Sequence, residues 1–206
     1  MLRRFFLILC LIPMMAFAED FVAGKDYEVI SGVTDKPTGA AVSVTEFFSY
    51  GCPWCYKIEP LLSQWVTAQD QKIQFNRVPV VFNKEWTYYA KAYYAADILG
   101  LGSKLNPLLF KAIQTDKQTL TSNQAMIDFF VAHGVDKETA ESAFTHSTTI
   151  DMKVKEGNVI MGRFHINAVP AIIVNNQYKT DLQMAKGEER LFKVLDFLVA
   201  KAHKNS

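Results

Sequence analysis

The fold of this chain is decided by the stretch VSVTEFFSYGCPWC, residues 42–55. The part from Val42 to Phe48 is apolar and predicts a buried strand. Two cysteines separated by two residues follow, where a segment with helical periodicity begins. A strand that leads straight into a helix places Cys52 beside backbone N–H groups and the positive end of the helix dipole, which stabilise a thiolate. The pattern therefore predicts a redox-active cysteine pair.

A C-x-x-C motif has two other interpretations, a structural disulfide and half of a zinc site. Zinc needs about four ligands, and the sequence offers no second cysteine pair. Its histidines are scattered, at His133, His146, His165 and His203. We therefore expect redox chemistry carried by the two thiols, with no metal and no cofactor.

The N-terminus predicts export from the cytoplasm. A basic MLRR start precedes a short apolar run, and Ala16-Phe17-Ala18 has the form of a signal peptidase site. The apolar run is shorter than the about twenty residues that span a membrane, so we predict a signal peptide over residues 1–18, with an uncleaved anchor as the alternative. Its removal also removes Cys10 and leaves only the cysteines of the motif. The predicted location is an oxidising compartment, the bacterial periplasm.

Length and charge are those of one ordinary globular domain. The chain of 206 residues has a formal charge of +1, and without the signal peptide the charge is near −1. This balance offers no electrostatic basis for binding nucleic acid or an anionic membrane. We expect no nucleic-acid partner.

The segments around the motif have an α/β pattern. Residues 27–30 alternate like a short edge strand, and residues 55–68 carry apolar side chains at helical spacing. Pro60 falls inside that helix, so a kink is expected near Tyr56. Residues 73–78 alternate as the next strand, which completes a right-handed βαβ unit.

After this unit the pattern changes to helices only, from residue 85 to residue 164. Strands return at residues 171–174, and an amphipathic helix over residues 187–203 closes the chain. We therefore predict an α/β fold that holds an inserted all-helical subdomain. The predicted boundaries are residues 19–82 and 165–206 for the α/β domain and residues 83–164 for the insertion.

Two sequences that flank the insertion carry a family resemblance. They are TEFFSYGCPWC, residues 45–55, and AVPA, residues 168–171. Together with the insertion they resemble the DsbA family of periplasmic thiol:disulfide oxidoreductases, in order and spacing over nearly the whole mature chain. The resemblance implies a thioredoxin-like fold. It also implies that the Cys52–Cys55 disulfide oxidises unfolded or reduced secreted proteins, and that a quinone-linked membrane enzyme of the DsbB type reoxidises the pair.

The chemistry of the pair follows from thiol–disulfide exchange. A substrate thiolate attacks Cys52, the exposed partner, and releases Cys55, after which a second substrate cysteine resolves the mixed disulfide. Trp54 stands where many members of the family have a histidine. An indole has one N–H and a large apolar face, so Trp54 either tunes the thiolate or provides an apolar platform for substrate.

The resemblance also assigns roles to the AVPA sequence. It implies that the Val169–Pro170 peptide bond is cis and that this loop faces Cys52. The backbone of Val169 would then pair with an extended substrate, as in β-augmentation. We expect the substrate to dock over Pro53, Trp54 and Val169.

Glu46 is the charged residue in an otherwise apolar strand, and alternation with Phe47 turns it inward beneath the cysteines. Burial of a carboxylate should raise its pKa, and an arginine such as Arg77 on the neighbouring strand would oppose that rise. By resemblance, Glu46 is the buried acid that exchanges protons with Cys55, with Glu59 and Arg77 as nearby charges. The alternative is a solvated Glu59 and a surface Arg77.

Two other classes of function remain open. A disulfide isomerase or reductase is the nearer one, although isomerases of this superfamily usually add an N-terminal dimerisation domain, for which residues 19–40 are too few. A metal-binding or interaction module without catalytic activity is the more remote one.

Overall fold

The structure is a computed structural model that describes residues 21–32 and 41–204. The predicted signal peptide, residues 1–18, lies outside the described residues. Within the described ranges, no helix is both long and apolar enough to cross a membrane.

Five strands of the described residues form one mixed sheet. Their bounds are β1 Glu28–Val29, β2 Val42–Phe48, β3 Ile73–Pro79, β4 Ala171–Val174 and β5 Tyr178–Asp181. The order across the sheet is β1-β5-β4-β2-β3. Strands β2 and β3 are parallel, whereas β4 is antiparallel to both β2 and β5, and β1 is antiparallel to β5. The predicted edge strand and the predicted parallel pair are both confirmed.

Helices cover the sheet and fill the connection between β3 and β4. Their bounds are α1 Pro53–Gln69, α2 Lys84–Ile98, α3 Gly102–Phe110, α4 Asn123–Ala132, α5 Lys137–Glu141, α6 Thr148–Arg163, α7 Leu182–Ala185 and α8 Glu188–Lys204. The described residues include two π-helical turns, Lys111–Thr115 after α3 and Ser142–His146 after α5. Helices α2 to α6 form the expected helical insertion, and the exact subdomain boundaries stay a prediction.

Helix α1 connects β2 to β3 and runs as one helix through Pro60. Proline has no N–H, so the Tyr56 carbonyl receives no bond from Pro60. The kink expected near Tyr56 stays a prediction. Helix α7 was not predicted, because four residues are too few to show a periodicity, and it begins where the side chain of Asp181 accepts the Met184 N–H.

The sheet separates two apolar layers, and alternation along β4 shows how. Ile172 points to the layer that includes Leu195 of α8, whereas Ile173 points to the layer that includes Phe47 and Phe164. Successive residues of a strand face opposite sides of a sheet, so a strand buried on both faces needs apolar residues throughout. This burial on both faces explains the uninterrupted AIIV sequence of β4.

We predict that Ile172→Ala lowers the free energy of unfolding by about 2–5 kcal/mol, the range for truncation of a large aliphatic side chain in a packed core. Ile172 is fully buried in a central strand. Val29→Ala is the control, since Val29 lies on the edge strand and is 60% exposed, and its effect should stay within about 0.5 kcal/mol. Urea unfolding measures both. Equal losses in the two variants would contradict this placement of the core.

Candidate active site

The cysteine motif begins where β2 ends. The Cys52 N–H donates to the Ser49 carbonyl oxygen at 3.0 Å, and the Gly51 N–H donates to Ser49 Oγ at 3.1 Å. These bonds turn the chain so that Cys52 is the N-cap residue of α1, and Pro53 occupies the first turn, where a missing N–H has no cost. The Cys55 N–H donates to Cys52 Sγ at 3.1 Å. The reactive sulfur thus lies at the positive end of a seventeen-residue helix.

Cys52 and Cys55 form a disulfide. Cys55 is fully buried, and Cys52 is 4% exposed. Cys52 is therefore the partner with access to solvent, as the sequence predicted, but only a small part of its surface is exposed. A substrate thiolate can therefore reach Cys52 Sγ only through a small exposed area.

The AVPA sequence lies beside the disulfide, although more than one hundred residues separate it from the motif in the chain. The Val169–Pro170 bond is cis, which confirms the expectation. The Val169 carbonyl oxygen lies 3.5 Å from Cys52 Sγ. A substrate that reaches Cys52 therefore passes the backbone of this loop.

Trp54 extends from this site and is 55% exposed. It lines one side of a groove of about 430 Å³, together with Ala168, Val169, Pro170, Asp181, Leu182, Gln183, Gly187 and Glu188. Lys57 Nζ lies 5.0 Å from the centre of the Trp54 ring and also pairs with Glu188. The indole is thus held by a cation on one face and contributes an apolar wall to the groove.

Two charged side chains of the sheet, Glu46 and Arg77, lie near a third, Glu59 of α1. Glu46 and Arg77 are opposite each other in β2 and β3. Arg77 Nε donates to Glu46 Oε2 at 2.7 Å, and its Nη2 donates to Glu59 Oε2 at 2.6 Å. The side chains of Arg77 and Glu59 are only 12% and 17% exposed. The alternative of a surface Arg77 and a solvated Glu59 is therefore wrong.

Burial raises the pKa of Glu46 to about 7, although the Arg77 charge opposes the rise, and the carboxylate of Glu59 adds to it. The side chain has no exposed surface, and its Oε1 has no hydrogen-bond partner. Burial also raises the pKa of Glu59. Burial alone would lower the pKa of Arg77, but the two carboxylates outweigh it, so the guanidinium stays charged. The group can therefore hold or release one proton near neutral pH.

The helical insertion forms the other wall of the site. Trp86 of α2 packs against Gly51, directly before the cysteines, and Phe82 stacks on Trp86 with ring centres 5.5 Å apart. Sequence reasoning missed this contact, because no local signal relates Gly51 to an indole thirty-five residues later. The glycine before the motif was the available hint; its φ is not positive, so the close approach of Trp86, and not the backbone conformation, favours glycine there.

One of the four histidines, His133, has a structural contact at a helix end. His133 ends α4, where its Nδ1 lies 2.7 Å from the Phe129 carbonyl oxygen. Among residues 21–32 and 41–204, no group of three or more His, Cys, Asp or Glu side chains has the arrangement of a metal site.

The sequence of this chain matches a family model and several known proteins. The thioredoxin family model matches residues 37–196. The thiol:disulfide interchange protein DsbA of Burkholderia cepacia is 37% identical over 179 residues, which cover 86% of this chain and 84% of that protein. DsbA of Pseudomonas aeruginosa is 29% identical over 191 residues, which cover 93% and 90% of the two chains.

Solved structures agree with the sequence relatives. The crystal structure of Pseudomonas aeruginosa DsbA superposes with a TM-score of 0.85 at 28% identity, over 91% of this chain and 97% of that one. The crystal structure of the oxidoreductase DsbA from Xylella fastidiosa gives a TM-score of 0.78 at 26% identity, over 87% and 96% of the two chains. The predicted thioredoxin-like fold is confirmed.

We predict that Gly51→Ala lowers the free energy of unfolding by about 1–3 kcal/mol, the cost of overpacking. The new methyl group would overlap Nε1 of Trp86 and lie 3.0 Å from the Tyr89 ring. The double variant with Trp86→Ala should lose less than the sum of the two single losses. Gly162→Ala is the control, because nothing lies within 4 Å of its added methyl group. Additive losses would show that the indole does not cause the effect.

Proposed function

Because the chain belongs to the DsbA family of thiol:disulfide oxidoreductases and introduces disulfide bonds through Cys52 and Cys55, we propose that Cys52 is the sulfur attacked by substrate. One observation carries this assignment. Cys52 Sγ is at the first turn of α1, accepts the Cys55 N–H, and has some exposed surface, whereas Cys55 is fully buried. The proposed location is the periplasm, where reduced secreted proteins are available as substrates.

The reaction transfers two electrons from substrate to enzyme. A substrate thiolate forms a bond to Cys52 Sγ, the Cys52–Cys55 bond breaks, and its electron pair leaves with Cys55. A second substrate thiolate then attacks the substrate sulfur of the mixed disulfide and releases Cys52 as a thiolate. The N–H groups at the start of α1 stabilise that leaving thiolate, so the reduced enzyme is favoured and the disulfide is a better oxidant, a relation for which DsbA proteins are a known example.

We propose that Glu46 supplies the proton that Cys55 needs when it leaves. A thiolate released in a fully buried position is costly unless it is neutralised. A carboxylic acid with a pKa near 7 is partly protonated at neutral pH and can give up that proton. Arg77 and Glu59 are positioning residues in this proposal, since they determine the charge around Glu46.

The groove next to the disulfide is the proposed substrate site. Trp54, Val169 and Pro170 line this groove, and Pro53 directly follows Cys52 in the chain. An extended apolar segment of an unfolded chain fits such a surface, because backbone pairing and apolar contact do not require a particular sequence. In this proposal Trp54 is a platform for substrate. A quinone-linked membrane enzyme of the DsbB type is the proposed oxidant that regenerates the disulfide.

We predict that a limiting amount of iodoacetamide at mildly acidic pH labels Cys52 before Cys55 in the reduced protein, because only a thiolate reacts and the Cys52 thiolate is the stabilised one. Peptide mass spectrometry locates the label. The Cys52→Ser and Cys55→Ser variants serve as controls for each site. Faster labelling of Cys55 would overturn the assignment.

We predict that Glu46→Gln removes a pH-dependent step from the oxidation of a reduced dithiol peptide. The protonated acid is present below its pKa, so the rate constant of the parent protein, expressed per substrate thiolate, should fall as pH rises through about 7. In the Gln variant the same quantity should be lower at pH 6 and flat across this range. Stopped-flow measurements between pH 5.5 and about 8.5 test this.

Glu156→Gln is the matched control for this experiment, because it makes the same change at an exposed position of α6. Its profile should coincide with that of the parent protein. A Glu46→Gln profile that keeps the fall near neutral pH would exclude the proton-transfer role, even though Glu46 is buried.

A further inference from the structure

We propose that one segment of the helical insertion, residues 106–115, positions the cysteine motif and thereby determines how strongly the Cys52 thiolate is stabilised. We call this segment the clamp. It comprises the second half of α3 and the π-helical turn that follows. The clamp contacts Tyr50, two residues before the CPWC sequence, and Tyr56, directly after it. The proposal rests on the assignment of Cys52 as the reactive sulfur.

The first set of clamp contacts holds Tyr50, two residues before Cys52. Gln114 Nε2 donates to the Tyr50 carbonyl oxygen at 2.6 Å, and the Tyr50 hydroxyl donates to Asn106 Oδ1 at 2.6 Å. Tyr50 is fully buried, and its ring meets the ring of Phe110 edge to face at 4.9 Å. Backbone and side chain of Tyr50 are therefore both tied to the clamp.

The second set of contacts holds Tyr56, the residue after Cys55. The Tyr56 hydroxyl lies 3.0 Å from Thr115 Oγ1, at hydrogen-bonding distance. Its ring stacks on Phe110, with centres 5.8 Å apart and planes inclined by 28°. Phe110 thus lies between the two tyrosines that bracket the motif, and the clamp spans the whole active-site turn.

The π-helical turn belongs to the geometry of the clamp. In Lys111–Thr115 the hydrogen bonds skip one more residue than in an α-helix, as in the bond from the Asp116 N–H to the Lys111 carbonyl oxygen at 3.0 Å. The wider turn rotates the residues that follow it around the helix axis, relative to their positions in a continuous α-helix. Gln114 and Thr115 reach the motif from this turn. Short π-helical insertions are often found at functional sites.

A fixed turn matters here because the stabilisation of the thiolate depends on geometry. The Cys55 N–H reaches Cys52 Sγ at 3.1 Å only while residues 50–56 keep their present path. Hydrogen bonds weaken steeply with distance and misalignment. If the clamp releases Tyr50, the sulfur can move away from the helix start, and the reduced form loses stabilisation that the disulfide form does not need.

The test compares Gln114→Met, which keeps the length of the side chain and removes the donor, with Gln118→Met as the matched control. Gln118 lies four residues later and is exposed. Two quantities are measured: the pH dependence of iodoacetamide reaction with Cys52, and the equilibrium of the disulfide with glutathione. For Gln114→Met we expect a higher Cys52 pKa and an equilibrium constant for reduction that falls about two- to tenfold, the range for one ordinary hydrogen bond. The control should match the parent protein.

A second pair of variants keeps the test decisive if Gln114→Met folds poorly. Thr115→Val and Tyr56→Phe remove the two oxygens of the other contact at an exposed position. Each should shift the equilibrium constant in the same direction, and the double variant should shift it no further than the larger single change.

The outcomes separate the two proposals. If Cys52 of the parent protein is labelled first, and its pKa and the glutathione equilibrium do not change in the clamp variants, the clamp is only structural and the inference is wrong, whatever happens to thermal stability. If Cys55 of the parent protein is labelled first, the proposed function itself fails.

Discussion

The hydrogen bond from the Cys55 N–H to the Cys52 sulfur places the reactive atom at the start of α1, and segments from both parts of the chain contact the turn that contains it. Strand β2 delivers the motif to the helix, and the loop at Val169 limits the approach from one side. The insertion closes the other side through Trp86 and the clamp. The α/β domain thus provides the two cysteines, whereas the insertion limits how far the turn that contains them can move.

The burial of charged side chains beside α1 costs electrostatic free energy. Two carboxylates and one guanidinium share a region from which water is largely excluded. One arginine cannot fully compensate two buried anions, so the group favours a bound proton, and burial places that proton on Glu46 at pH values near neutrality. An arginine suits this position because it stays charged at any physiological pH, which leaves the carboxyl groups as the only members that titrate.

Local signals predicted much of this arrangement, and contacts between distant segments account for what they missed. Alternation placed Glu46 inside, and the spacing of apolar residues located α1 and the insertion, because those patterns repeat within a few residues. The contact of Gly51 with Trp86 and that of Tyr50 with Gln114 join positions 35 and 64 residues apart. The sequence around one residue of such a contact carries no signal that identifies the other residue. The π-helical turns were not predicted either.

The position of the insertion has a consequence for the order in which the chain folds. In the sheet, β3 and β4 are the two neighbours of β2, yet about ninety residues separate them in the chain. Strands β2 and β3 can pair after closing only the short loop through α1, while β4 must wait for a much larger closure with a higher entropic cost. A nascent chain should therefore display both cysteines on a β2–α1–β3 unit before the Val169 loop arrives to cover them. During that interval Cys52 is accessible from the side that the Val169 loop later limits.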